Sequence, residues 1–207
     1  MLRNLVLASV AAAGLASAAN AVTGVTITSS PYDVVPGAGQ QIVFDFNGTT
    51  APGYSYTGGQ IFANSVGGVA AAPAQDETPF LAILGGNTAT FSFAKAIKSF
   101  SIYIGSVDNY NNLRFQGPGF DTGTFSASVL PGDSTGNQTA GATNRRFFFD
   151  FGANRVKTVT LGSTSNSFEL DNIAVANVPE PAAWALMIAG FGLVGAAARR
   201  RSTAVAA

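Results

Sequence analysis

Apolar residues recur at every second position in short runs along most of this chain: Val25 and Ile27; Ile42, Phe44 and Phe46; Phe91 and Phe93; Phe100, Ile102 and Ile104; Phe125, Ala127 and Val129; Phe147, Phe149 and Phe151. A period of two places alternate side chains on one face of a strand, so each run predicts a strand with one buried face. Apolar runs at 81–84, 113–115, 156–161, 167–170 and 173–176 add further strands. Clusters of Gly, Pro, Asn and Asp separate them, as turns require. The pattern predicts an all-β body over residues 22–177, an antiparallel β-sandwich or jelly roll filled by fifteen of the sixteen phenylalanines. A β-solenoid is the alternative, but no fixed repeat period accompanies the strands. Residues 54–74, rich in Gly and Ala, read as a surface excursion ordered only in part.

The alternation stops at both ends. Residues 1–21 hold Arg3, an apolar stretch from Leu5 to Leu15, and small residues from Ala16 onward, which is the grammar of a signal peptide. Ala19-Asn20-Ala21 fits a cleavage site for signal peptidase and places the mature start at Val22, with a cut after Ala18 as the alternative. At the other end no charge occurs from Ala182 to Ala198. That run is at the low end of the roughly 17 to 25 residues needed to cross a bilayer, and predicts a transmembrane helix over about 182–198. Trp184 suits one interface, and Arg199, Arg200 and Arg201 suit the cytoplasmic one, which leaves the body outside the inner membrane.

Immediately before the apolar run stand Pro179, Glu180 and Pro181, then two free positions, then Trp184 and Ala185. With the helix and the terminal arginines behind it, this tail over residues 178–207 resembles the PEP-CTERM sorting domain in its PEPxxWA variant. The resemblance implies a Gram-negative bacterial protein processed by exosortase, a membrane cysteine transpeptidase-like enzyme whose systems often accompany exopolysaccharide production. Pro179, Glu180 and Pro181 would be recognition elements, held extended because proline cannot continue a helix. The protein would be anchored transiently in the inner membrane with its body in the periplasm, then reach the cell surface or the medium.

Composition narrows what the body does. Charges balance to zero over the whole chain, yet Arg3 and the three terminal arginines lie outside the body, which is therefore mildly acidic. It lacks the basic stripe by which proteins neutralise a phosphate backbone, so nucleic acid is not expected as a partner. No cysteine excludes disulfides and thiolate chemistry, and no histidine removes the usual general base and transition-metal ligand. The remaining catalytic option is carboxylate-based, a glycosidase pair drawn from Asp45, Asp108, Asp121, Asp150, Glu169 or Asp171.

The most polar loop, Gly105 to Asn112, concentrates oxygen ligands around one aromatic ring. Asp108, Asn109 and Asn111, completed by Asp171, would suit calcium, and no other cofactor is expected. Tyr110 and Asn112 would suit stacking on and hydrogen bonding to a sugar. The same residue types also build ordinary hairpin turns, and Asp171 could instead satisfy backbone amides in a β-bulge. In the stretch Arg145 to Phe151 the odd-numbered phenylalanines read as core, with Arg146 and Asp150 solvated on the opposite face. The function expected is that of a non-catalytic cell-surface or extracellular-matrix protein that binds exopolysaccharide. A carboxylate-dependent glycoside hydrolase and a purely structural biofilm or adhesive component are the alternatives.

Overall fold

The computed structural model describes residues 20–48, 50–177, 186–195 and 199. Among them thirteen strands run in the order β1 (Asn20–Val22), β2 (Val25–Pro31), β3 (Gln41–Phe44), β4 (Tyr54–Gly58), β5 (Gln60–Phe62), β6 (Phe80–Ile83), β7 (Asn87–Gly105), β8 (Asn111–Gly117), β9 (Phe120–Asp121), β10 (Phe125–Ser126), β11 (Arg145–Asp150), β12 (Val156–Ser163) and β13 (Phe168–Asn177). The body is all-β, and every strand pair is antiparallel within one connected hydrogen-bonded network.

Two of the alternating runs are a single strand. Phe91 and Phe93 share β7 with Phe100, Ile102 and Ile104, a strand of 19 residues. Its first half pairs with β4 and β12, its second half with β11 and β13. The buried positions slip from odd to even between Ile97 and Phe100, and shifting a strand by one residue would turn its apolar set outward. A local irregularity absorbs the slip: the pairing with β12 jumps from Ser92 to Ile97, and that with β13 breaks at Ala176 and Asn177. The runs at 167–170 and 173–176 likewise belong to one strand, β13 (Phe168–Asn177), rather than two.

The aromatic residues join strands that are not hydrogen-bonded to each other. Phe44 on β3 meets Tyr56 on β4 at 5.5 Å and Phe91 on β7 at 5.3 Å between ring centroids. Phe115 on β8 meets Phe149 on β11 at 4.8 Å, and also touches Phe100, Phe125 and Phe151. Phe147, Phe149 and Phe151 are buried, as the alternation requires.

Three segments depart from the sequence pattern. The run at Phe125, Ala127 and Val129 ends as a strand at Ser126, whose side chain accepts from the Ser128 N–H and starts a 3-10 turn over Ala127–Val129. Residues 54–62 form β4 and β5 instead of a loose excursion. Gly58 makes their tight turn: its φ is +79°, and a Cβ there would lie 2.1 Å from the Thr88 carbonyl oxygen. Arg146 is not solvated but fully buried, its guanidinium 2.7 Å from Asp33, because the chain around Asp33 and Gln40 covers that face.

No helix among the described residues is long and apolar enough to cross a membrane. Residues 186–195 are helical, with Leu186, Ile188, Phe191, Leu193 and Val194 exposed. The rest of the expected span over about 182–198 and nearly all of the expected signal peptide lie outside the described residues.

Phe115 is buried and meets four other rings, so Phe115→Ala should cost about 3 to 5 kcal/mol of stability by urea denaturation. Val35→Ala, at a residue 83% exposed, should leave the midpoint within error.

Candidate functional site

A polar cleft of about 280 Å³ opens where β7 ends and β13 begins. Its floor is Glu169, its walls are residues 65–71 and the 105–112 loop, and its rim carries Thr135, Gln138 and Asn166. Glu169 alternates with Phe168 and Leu170 on β13, so its side chain leaves the core face and enters the space beneath residues 65–71. It is only 3% exposed. Its carboxylate accepts from the Ala71 N–H at 2.9 Å, the Ser106 hydroxyl at 3.1 Å and the Ser167 hydroxyl. Burial pushes its pKa up, and these donors oppose the rise without cancelling it.

The 105–112 loop supplies the other wall. Burial also raises the pKa of Asp108, against the pull of the neighbouring Tyr110 hydroxyl. Tyr110 donates to the Asn166 carbonyl at 2.8 Å, and burial followed by the charge of Asp108 raises its hydroxyl pKa. Asp108 lies against Gly136, where a Cβ would come 2.4 Å from Oδ1, so only glycine permits this approach.

The expected calcium ligands are not brought together. The side-chain oxygen of Asn111 accepts from the Asp108 N–H at 2.8 Å, and its amide reaches Ser163 and Ser167. The carbonyl of Asn109 accepts from the Ser126 hydroxyl. Asp171 does not face this loop; it faces Thr78 and Asp76. Among the described residues no group of three or more acidic side chains is placed to hold a metal. The two expected sugar contacts also separate: Tyr110 lines the Glu169 cleft, whereas Asn112 lines a second recess with Arg114 and Thr88. Of the other acids, Asp121 forms a two-pronged exposed pair with Arg114, which holds its pKa well below the usual carboxylate range. Asp45 and Asp150 accept backbone N–H groups two residues ahead, as turn residues do.

Beside the cleft, buried Asp171 pairs with half-buried Asp76, an acid that the sequence pattern does not single out. The Thr78 hydroxyl lies 2.5 Å from Asp76 Oδ1 and 3.0 Å from Asp171 Oδ2. It has one proton to give. The other Asp76 oxygen is buried without a partner. Burial, then the adjoining Asp76, pushes the Asp171 pKa up to about 8, so one carboxyl of the pair holds a proton at neutral pH. Tyr103 donates to the Ala74 carbonyl, and Asn144 accepts from the Ala74 and Ser106 N–H groups. Glu169, Asp171, Tyr103 and Asn144 thus hold residues 71–78 onto the sheet. No spacing signal announces this, since Thr78 and Asp171 are 93 residues apart.

Of the sorting and cleavage residues, Ala21 pairs with Thr26 in β1 and Arg199 is helical. Ala19, Pro179, Glu180, Pro181, Trp184, Ala185, Arg200 and Arg201 lie outside the described residues. Residues 177–201 match the model of the PEP-CTERM protein-sorting motif. The chain carries a PEP-CTERM sorting domain. This PEP-CTERM tail implies an exported protein sorted by exosortase. It starts at Asn177, where β13 ends. No curated protein matches the chain. Among solved structures, the catalytic unit of the thermostable GH87 alpha-1,3-glucanase from Streptomyces thermodiastaticus strain HF3-3 is similar at 11% identity and a TM-score of 0.32, over 62% of this chain and 26% of that one. The chain spans about a quarter of that structure, and a likeness this loose carries no weight for the PEP-CTERM protein's body.

The raised Asp171 pKa sets the sign of a pH dependence. The folded state keeps the proton up to about pH 8, whereas an unfolded aspartate releases it near the usual carboxylate value of about 4. The folded state therefore holds more protons between these limits, and stability should fall as pH rises from about 4 to about 8. Asp171→Asn, which keeps an acceptor for Asn172 and supplies a permanent donor to Asp76, should melt above the native protein at pH 8. By calorimetry the gap should narrow at pH 5.

Proposed function

We propose that the chain is a non-catalytic, exported surface or matrix protein in three parts. A signal peptide over about 1–21 is removed by signal peptidase, a β-sandwich body spans 22–177, and a sorting tail spans 178–207. The apolar segment at about 182–198 holds the tail in the inner membrane until exosortase cuts. The body's cleft binds extracellular polysaccharide. The ring contacts between unpaired strands, Phe44 with Tyr56 and Phe115 with Phe149, support a network folded into two facing layers about β7.

The observation that carries the binding reading is the position and lining of the cleft. β13 starts beside the cleft and ends where the tail begins, and its ten residues span about 30 Å. The cleft therefore lies at the end of the body away from the anchor, presenting the Tyr110 ring and the polar ends of Thr135, Gln138 and Asn166. Convergent polar groups around an aromatic face suit a sugar. Hydrolysis is less well served. A glycosidase would draw on Glu169 and Asp108, but the Glu169 oxygens already accept from three donors, so the group acts as a clamp that joins Ala71, Ser106 and Ser167.

Titration calorimetry with exopolysaccharide purified from the producing bacterium should show binding that Tyr110→Ala weakens by about tenfold or more, equivalent to about 1.4 kcal/mol. Gln138→Ala, at an exposed rim residue, should weaken it as well. No heat with the native protein would instead favour a purely structural component. Release of reducing ends that Glu169→Gln abolishes would favour the hydrolase.

Intact mass and cell fractionation test the sorting. With exosortase present, the mature protein should start near Ala19 or Val22, end near Pro179-Glu180-Pro181, and leave the inner membrane. Without the enzyme the tail should persist to Ala207 and the protein should stay in the membrane. A start at Ala19 would keep β1 whole on the sheet edge.

A further inference from the structure

The Glu169 cleft carries charge of one sign. Asp108 and Glu169 are its only charged lining residues, and no lysine or arginine takes part. The two acids differ in how they are satisfied. Glu169, at the floor, has its oxygens occupied by Ala71, Ser106 and Ser167. Asp108, on the wall, is half-buried yet open to the cleft. Its carboxylate lies over the bare backbone of Gly136, whose own N–H turns away to the Val107 carbonyl at 2.9 Å. The donor beside it is the Tyr110 hydroxyl, and that group's single proton is directed at the Asn166 carbonyl at 2.8 Å.

An acid drawn out of water needs donors, a cation or a proton. Elsewhere the fold supplies one of these: Arg146 and Asn172 for Asp33, three donors for Glu169, a retained proton for Asp171. Asp108 receives only a share of one hydroxyl. Burial raises its pKa, and no neighbouring cation offsets the rise. The cleft therefore holds an acceptor with capacity to spare, next to the Tyr110 ring and the neutral side chains of Thr135, Gln138 and Asn166.

We propose that the cleft selects a polysaccharide with free amino groups, a hexosamine chain whose ammonium is held by the Asp108 carboxylate. The inference deepens the polysaccharide-binding reading of the cleft and rests on it. An ammonium brings three donors and no acceptor, which is the complement of an under-supplied carboxylate. Such charge-assisted bonds are about twice as strong as those between neutral groups. Glu169 adds negative field from the floor without needing a contact of its own. A sugar acid would bring a third negative charge into a site that has no cation, so the same lining rejects it. N-acetylation would remove both the charge and two of the three donors. A metal ion is a poor rival, because Asn111 and Asp171 turn to other partners. At about 280 Å³ the cleft is small for a ligand site, which suits a short stretch of a longer chain.

The full chain in neutral detergent is titrated calorimetrically with tetramers of glucosamine, N-acetylglucosamine and galacturonate. The glucosamine tetramer should bind about tenfold or more tighter than its N-acetylated form, and the galacturonate tetramer should give no heat. The gap should narrow at 1 M salt, where the Debye length falls to about 3 Å. Exopolysaccharide purified from the producing bacterium should likewise lose about tenfold in affinity once its amines are acetylated with acetic anhydride. Asp108→Asn, which keeps the side chain's shape, should erase the gap between the two glucosamine tetramers. The comparison among sugars uses the native protein, so a folding defect in the variant does not decide the result. Equal binding of free-amine and acetylated forms, in tetramers and exopolysaccharide alike, would overturn the amine selectivity and leave polysaccharide binding standing. Heat from galacturonate matching that from glucosamine would overturn it as well. A gap that persists in a folded Asp108→Asn variant would overturn the assignment to Asp108. No heat with any tetramer or with the exopolysaccharide would overturn the selectivity and the binding reading together. Binding of a lysine oligopeptide but of no sugar would assign the cleft to a protein partner and overturn both.

Discussion

The body depends on one long strand meeting four neighbours. β7 offers β4 and β12 its first half and β11 and β13 its second, so the register of five strands is set along one backbone. An antiparallel strand with apolar residues on a fixed parity has little freedom to slide, since a slip of one residue exposes its whole buried face. β7 changes parity between Ile97 and Phe100 and tolerates it through a local irregularity, which lets Phe91 pack with Phe44 and Tyr56, and Phe93 with Tyr54, while Phe100 packs with Phe115 and Phe149. That same irregularity carries Lys95 and Lys98 and receives the end of β13. The far end of β7 feeds the loop that walls the cleft. Both ends of the molecule that bear on function are therefore placed by one strand.

The buried polar groups follow from a second constraint. The outer face of β7 and β13 at Ser101, Tyr103, Glu169 and Asp171 carries hydroxyls and acids, and it is covered by chain. A buried carboxylate is costly unless it is hydrogen-bonded or protonated, and both remedies are used. Glu169 collects three donors, whereas Asp171 accepts from the Asn172 N–H, shares the Thr78 hydroxyl with Asp76 and keeps a proton. These acids tie down residues 71–78, and thereby shape one wall of the cleft. Arg146 meets the same constraint on the next strand by pairing with Asp33.

Sorting motif and cleft mark opposite ends of β13. The motif begins where β13 ends, and the cleft opens at the strand's other terminus. In a chain without cysteine or histidine, recognition by ring faces and amide groups is the chemistry most readily available.

The sequence alone determined the all-β character, most strand positions and the sorting tail, because each is a local signal: parity along a strand, or residue order in a terminal motif. It also identified the 105–112 loop, Tyr110 and Glu169 as residues of interest from their types. It could not say that Glu169 is saturated by Ala71, that Asp171 turns to Asp76 rather than to Asp108, or that Asn111 spends its oxygen on its own loop. The burial of Arg146 was equally hidden, since on a strand of alternating residues it occupies what would be a solvent face. These outcomes belong to the tertiary structure alone, because contacts such as Ala71 with Glu169 join residues 98 apart, and no periodicity reaches that far.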